Sequence, residues 1–370
     1  MIERKPKILV VFGTRPEAIK LCPLILELKG RAGLETAVCV TGQHRAMLDG
    51  VLSEFGVTPD FDLDVMTHGQ TLFDLTRRIL RGMDLVLRRE SPHLVLVHGD
   101  TSTAFAAALA AFYSQIPIGH VEAGLRTGDL RAPFPEEFNR QAVGVMAKLH
   151  FAPTNLTKEN LLREGKSPSS VFVTGNTVAD ALKATVKSDF SHPALEAARG
   201  KRLIFMTAHR RENLGAPLVA IFNAARRIAD EFEDALILYP VHKNREITEL
   251  AHRELGGHER IILCEPLEAT ACHNLLARSY FALTDSGGIQ EEATALGVPT
   301  LVLREVTERP EGLAAGTLRL VGCDGESIYR EAKALLEFPD RRAKMAQPHG
   351  VYGNGDASRK IADVIENYFR

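Results

Sequence analysis

No apolar run in this 370-residue chain approaches the length of a membrane span, and the opening MIERKPKILVVFG lacks the apolar core and small-residue cleavage site of a secretory signal. A cytoplasmic protein without a membrane partner is the expectation. Cysteine is sparse: Cys22, Cys39, Cys264, Cys272 and Cys323 make an odd number, lie far apart and form no Cys-x-x-Cys pair. That pattern leaves no basis for structural zinc or a disulfide framework, and predicts reduced thiols used as small packing residues. Excess charge is missing too. A formal net charge of -2 provides no broad basic field to gather nucleic acid and no acidic tail. Low-complexity segments and short-period repeats are absent as well. One further absence is local. In LTDSGGIQEEATALGVP (283 to 299) a strand runs through Ser286-Gly287-Gly288 into a helix, but the lysine of a familiar phosphate-binding loop is not there, and Glu291 and Glu292 follow instead.

What is present describes an ordinary globular chain, 45% apolar and 25% charged, long enough for two domains. Short apolar runs alternate with longer helical patterns: KILVVFG, TAVCVTG, LVLVHGD, IPIGHVE, KLHFAPT and VFVTGN in the first half, RLIFMTA, ALILYPV, RIILCEP, YFALTDS, PTLVL and LRLVG in the second. Runs apolar throughout suit strands covered by helices on both faces. The expected class is therefore α/β, with two doubly wound Rossmann-like domains facing a central cleft. A polar stretch with Pro and Gly within 177 to 201 marks the linker. We place the N-terminal domain at 1 to 185, the C-terminal domain at 186 to 355, and a last helix at 356 to 370.

Ligands of such sheets bind beyond the C-terminal strand ends, so the residues delivered there matter most. FGTRPEAIK brings Arg15 and Lys20 to a helix start, which suits either phosphate recognition or a capped helix with surface cations. HGDTSTAF delivers Asp100, which can simply cap an alanine-rich helix. GHVEAGLRTGD puts Glu122 just past a strand, and FPEEFNR opens a helix with Glu136 and Glu137. Three acids sharing one cleft would raise at least one pKa and set a proton donor beside an acceptor. TAHRREN supplies His209, Arg210 and Arg211, which can hold a diphosphate or pair on the surface; His242 in YPVHKN is either solvated or a ligand. At the opening motif, Ser286, Gly287 and Gly288 can donate to phosphate oxygens, and Glu292 can accept from a vicinal diol. Glu291 reads as a solvated helix position. The pattern suggests a nucleoside diphosphate and not a triphosphate with magnesium.

Taken in order, FGTRPEAIK, VTGQHRAMLD, LVHGDTSTAFA, GHVEAGLRTGD, FPEEFNR, TGNTVADAL, TAHRREN, YPVH, LTDSGGIQEEA and TERPEG resemble the bacterial non-hydrolysing UDP-N-acetylglucosamine 2-epimerases, from about Lys7 to YGNGDAS near the C-terminus. One such string would be weak; ten in order are specific. The resemblance implies a glycosyltransferase-B type fold whose last helix packs back onto the first domain. It also implies an isomerase that interconverts UDP-GlcNAc and UDP-ManNAc by eliminating UDP to 2-acetamidoglucal and adding it back, with no metal or nicotinamide cofactor. The product would feed surface polysaccharide or cell-wall linkage synthesis, and the enzyme would be a homodimer. By matching positions, Asp100, Glu122 and Glu136 become the acid–base candidates, their roles undivided. Arg15, Lys20 and His209 would support the diphosphate or sugar, with His209 counted in the catalytic set. Ser286, Gly287 and Gly288 would meet phosphate, Glu292 the ribose, and Arg309 the substrate.

Gln43, Gln70, Arg210 and His242 match the pocket in which several bacterial members bind a second UDP-GlcNAc as activator. Two positions there depart from the pattern: Ala46 and Gly69 stand where relatives can carry Gln and Arg. Cys272 stands where the family commonly has a phenylalanine against uracil, a loss of stacking of roughly 1 kcal/mol or more. Alternatives within reach of the same residues are a hydrolysing 2-epimerase, an epimerase of a modified UDP-sugar, a glycosyltransferase, and a binding module without chemistry. The presence of all three acids weighs against the last two.

Overall fold

The computed structural model describes residues 5–42, 45–67, 69–347 and 350–370, without the side chains of 45–47 and 211. Two compact units are present, 1–184 with 352–370, and 185–351.

The first unit is built on a parallel sheet of β1 Lys7–Phe12, β2 Glu35–Val40, β3 Phe61–Asp62, β4 Leu94–His98, β5 Ile118–Val121, β6 Leu149–Ala152 and β7 Val171–Val173. Their order is β3-β2-β1-β4-β5-β6-β7. The second holds β8 Arg202–Thr207, β9 Ala235–Pro240, β10 Ile261–Cys264, β11 Phe281–Thr284, β12 Thr300–Val302 and β13 Leu318–Leu320, in the order β10-β9-β8-β11-β12-β13. Every pairing is parallel. Helices return the chain between successive strands, so the central strands are buried on both faces; Ile8 through Phe12 are wholly inaccessible. The doubly wound class expected from the apolar runs is what forms. β3, only two residues long, carries no periodic signal and was not anticipated.

Both sheets reverse their winding once, between β1 and β4 and between β8 and β11. At such a reversal the loops after neighbouring strands part and leave room for a ligand. The first loop, after β1, is packed tightly. A Cβ on Gly13 would lie 2.0 Å from Thr41 Oγ1 and 2.5 Å from Thr103 Oγ1, two hydroxyls that bond each other at 2.9 Å. Only glycine lets the chain pass there.

The segment after the helix Thr177–Thr185 is pinned within the second unit. The Asn274 amide donates to Thr185 O and accepts from Lys187 N, and Thr185 Oγ1 lies 2.7 Å from His273 Nδ1. The chain returns to the first unit at Tyr352, whose carbonyl accepts from Asn176 N at 2.8 Å. Asp180 caps the final helix Ala357–Tyr368 by accepting from Ala357 N and Ser358 N. Arg31, just past the helix Arg15–Lys29, bonds Asp363 and Glu366. No described helix is long and apolar enough to cross a membrane.

Candidate active site

In the first unit, β4 and β5 stand side by side and deliver Asp100 and Glu122 just past their ends. Glu122 is buried and adopts a left-handed backbone with φ 61°, a conformation that is strained for a residue with a side chain. Its carboxylate pairs with Lys20, also buried, and accepts from Asn176 Nδ2 at 2.8 Å. His98 Nε2 lies 3.7 Å from the same oxygen and makes no hydrogen bond. Burial pulls the His98 pKa down to about 4, so the ring is neutral near pH 7.

Asp100 is half-buried and pairs with Arg140, while Asn139 Nδ2 donates to its carbonyl at 2.9 Å. Both partners come from the helix Glu136–Met146, whose first residue is Glu136. Arg140 also bonds Glu137, which is fully buried and accepts from Thr127 N, Gly128 N and Gln141. Of the paired acids in PEEF, Glu137 therefore holds the 127–128 loop, and Glu136 is the one left half-buried at the helix start. Each of Asp100 and Glu122 thus faces a cation.

Arg15 opens the helix that carries Lys20. The turn before it is held by Glu17, a buried carboxylate that accepts from Gly13 N, Thr14 N, Thr14 Oγ1 and Thr101 Oγ1. Burial pushes this carboxyl up, and the four bonds oppose that rise. Glu17 ties the loop after β1 to the loop after β4.

In the second unit, β8 and β11 share a hydrogen-bonded threonine pair, Thr207 and Thr284, at 2.6 Å. Asp285, fully buried one residue later, accepts from His209 N at 2.8 Å, Arg210 N at 2.9 Å and Asn213 Nδ2 at 3.0 Å. It fixes the turn that presents His209, whose ring stacks on His242 with centroids 5.1 Å apart. Ser286 precedes the helix Gly287–Leu296 without its hydroxyl capping it. Arg309 lies over this helix start: a Cβ on Gly287 would fall 2.8 Å from its guanidinium carbon.

Two carboxylates hold Arg309 there. Glu291 accepts from its Nε at 2.9 Å, and Glu308 lies 3.4 Å from Nη1. Glu291 is not the solvated position expected from sequence: it is buried and ion-paired, because the helix flank it occupies turns inward to meet the arginine. Glu308 also binds Arg304 at 2.7 Å and faces Arg210 at 3.9 Å. Burial alone would raise the Glu308 pKa, but Arg309, Arg304 and Arg210 outweigh it and hold the group at about 2. Glu292, one residue on, is buried 3.7 Å from His273 Nε2. Cys272 is partly buried at the edge of the apolar cluster formed by Leu275, Leu276 and Ile289.

The structure therefore gathers Lys20, Asp100, Glu122 and Glu136 in one unit, and His209, Arg210, His242, Ser286, Gly287, Gly288, Glu292 and Arg309 in the other. Gln70 sits in the first unit, accepting from Thr67 N and Thr67 Oγ1. Gln43 and the side chain of Ala46 lie outside the described residues; Gly69 has φ 72°. Sequence reasoning missed Glu17, His98, Arg140, Asn176, Asp285 and Glu308. Asp285 had a readable signal, an acid between a strand end and a Gly-Gly helix start. Among the described residues, no group of three or more His, Cys, Asp or Glu is placed to hold a metal ion.

Residues 26–366 match the family model described as UDP-N-acetylglucosamine 2-epimerase. The chain is 55% identical to the UDP-N-acetylglucosamine 2-epimerase of Bacillus subtilis over 362 residues, covering 98% of this chain and 95% of that one. It is 47% identical to the Escherichia coli K12 protein of the same description, covering 98% of each chain. A crystal structure of UDP-GlcNAc 2-epimerase from Neisseria meningitidis bound to UDP-GlcNAc superposes with a TM-score of 0.93 at 43% identity, covering 98% of this chain and 100% of that one.

Proposed function

The chain belongs to the UDP-N-acetylglucosamine 2-epimerase family, and from that premise we propose that it interconverts UDP-GlcNAc and UDP-ManNAc reversibly, without hydrolysis. The C2 hydrogen of the sugar has no adjacent carbonyl to acidify it, so simple deprotonation is unfavourable. Elimination avoids the problem. The C2–H electron pair becomes the C1–C2 double bond, the C1–O bond breaks toward UDP, and 2-acetamidoglucal forms. UDP then adds back to C1 while a proton reaches C2 from the opposite face.

The observation that carries this reading is the fixed pair of acids on adjacent strands, Glu122 held by Lys20 and Asn176, and Asp100 held by Arg140. With Glu136 they are the candidates for base and acid. In the other unit, Arg309 over the open helix start, with Ser286 and the Gly287 and Gly288 backbone, suits a diphosphate leaving group, and His209 joins it on the turn fixed by Asp285. Glu292 suits the ribose diol. A second UDP-GlcNAc as activator would draw on Gln43, Gln70, Arg210 and His242.

Incubation with UDP-GlcNAc in deuterated water tests the proposal. Deuterium at C2 of both UDP-sugars, with UDP still attached, is expected. Accumulating free ManNAc and UDP would instead assign a hydrolysing enzyme.

A further inference from the structure

The two oxygens of the buried Asp285 carboxylate are used very differently. Oδ2 is saturated, accepting from His209 N at 2.8 Å, Arg210 N at 2.9 Å and Asn213 Nδ2 at 3.0 Å. That oxygen holds the turn after β8. Oδ1 is equally buried and has no hydrogen-bond partner among the described residues. A buried carboxylate oxygen without a partner is costly, so its presence in a folded chain calls for a reason. What faces Oδ1 is the ring of the residue whose backbone Oδ2 already holds: His209 Nδ1 lies 3.7 Å away. The ring has little freedom to turn elsewhere. It stacks on His242 with 11° between the planes, and its backbone N–H is tied to the same carboxylate.

We propose that Asp285 is a positioning residue for the reaction: its Oδ1 takes the Nδ1–H of His209 and fixes the tautomer that leaves Nε2 for the departing UDP. The inference rests on the reading above, in which His209 serves the diphosphate. An ionised carboxylate offers only acceptors, so the ring nitrogen that faces it carries the proton. A separation of 3.7 Å is too long for a hydrogen bond, and contacts of this kind commonly tighten when substrate binds. The same carboxylate balances the charge of the ring when Nε2 is protonated as well. A cationic imidazole can then meet the negative charge that develops on the β-phosphate oxygen as the C1–O bond breaks. One side chain thus sets both the backbone turn and the proton on the ring it presents.

NMR of the full-length chain labelled with nitrogen-15 histidine tests it, the His209 signals being identified by their loss in His209→Gln. In wild type with UDP present, Nδ1 is expected to carry a proton. Asp285→Asn keeps an oxygen for the three donors and turns an amide NH2 toward the ring, so Nδ1 becomes the acceptor and the proton moves to Nε2. The kcat for epimerisation should then fall by about 10²–10⁴-fold, with KM changed by less than about threefold and an unchanged far-UV circular dichroism. A wild-type His209 protonated on Nε2 alone would overturn the inference, and that spectrum decides by itself if the variant does not fold. A folded variant with an unchanged tautomer or an unchanged kcat would overturn it too, leaving Asp285 a purely structural residue. Failure of wild type to place deuterium at C2 would instead remove the proposed reaction, and is read separately from the tautomer.

Discussion

At the residue scale, the site depends on where charges are neutralised. Glu122 sits in a buried position that would oppose its ionisation, yet Lys20 and Asn176 meet its carboxylate and a strained backbone aims it past β5. Asp100 relies likewise on Arg140. The acids themselves were readable as carboxylates after apolar strands. Their partners were not, because Lys20 lies 102 residues from Glu122 and Arg140 lies 40 from Asp100, and no local pattern encodes a pairing made by sheet topology. Asp100→Asn keeps the size of the side chain and a group that can accept from Arg140 while removing the charge. Turnover should fall by about 10²–10⁴-fold, with UDP affinity, measured by calorimetry, changed by less than about threefold. Unchanged turnover would remove Asp100 from the chemistry.

At the element scale, the start of the helix Gly287–Leu296 shows how one short segment divides its work. The glycines admit Arg309, Glu291 faces inward to hold that arginine, and Glu292 lies beside His273. Sequence made the glycines legible, since close approach has a residue signature. The inward turn of Glu291 depends on a loop 18 residues away and left no mark on the helix pattern. Glu308 is the other anchor of the cluster, shared by Arg304, Arg309 and Arg210. Replacing it by Gln leaves the buried Arg304 and the partly buried Arg309 and Arg210 short of a counter-charge. We predict a loss of about 3–5 kcal/mol in urea denaturation and a raised KM for UDP-GlcNAc. A variant as stable as wild type would show that the arginines find other partners at no cost.

At the scale of the whole molecule, the two parallel sheets were legible because strands buried on both faces are apolar throughout, whereas β3 was too short to register and the buried histidines of the first sheet looked like any strand residue. Those histidines set the response to acid. Burial holds His98 at about 4, His120 at about 3 and His150 at about 4, against an ordinary value of 6.5. Between these values and 6.5 the unfolded chain binds more protons than the folded one, so stability falls as the pH drops below 6.5. Glu308, at about 2 against 4.5, acts in the same direction between pH 4.5 and about 2. At pH 5 each of the three imidazoles should account for up to about 2 kcal/mol of lost stability, visible as a lower urea midpoint than at pH 7.5. Equal midpoints would contradict neutral burial. The central proposal, that UDP is expelled from C1 and recaptured there, is tested most directly by positional isotope exchange. UDP-GlcNAc is prepared with oxygen-18 in the oxygen bridging C1 and the β-phosphorus. If C1–O cleavage is reversible within the site, the label must scramble into the non-bridging β-phosphate oxygens of UDP-sugar recovered before equilibrium. A label that stays entirely in the bridge while C2 epimerises would contradict elimination and require a route that leaves the C1–O bond intact.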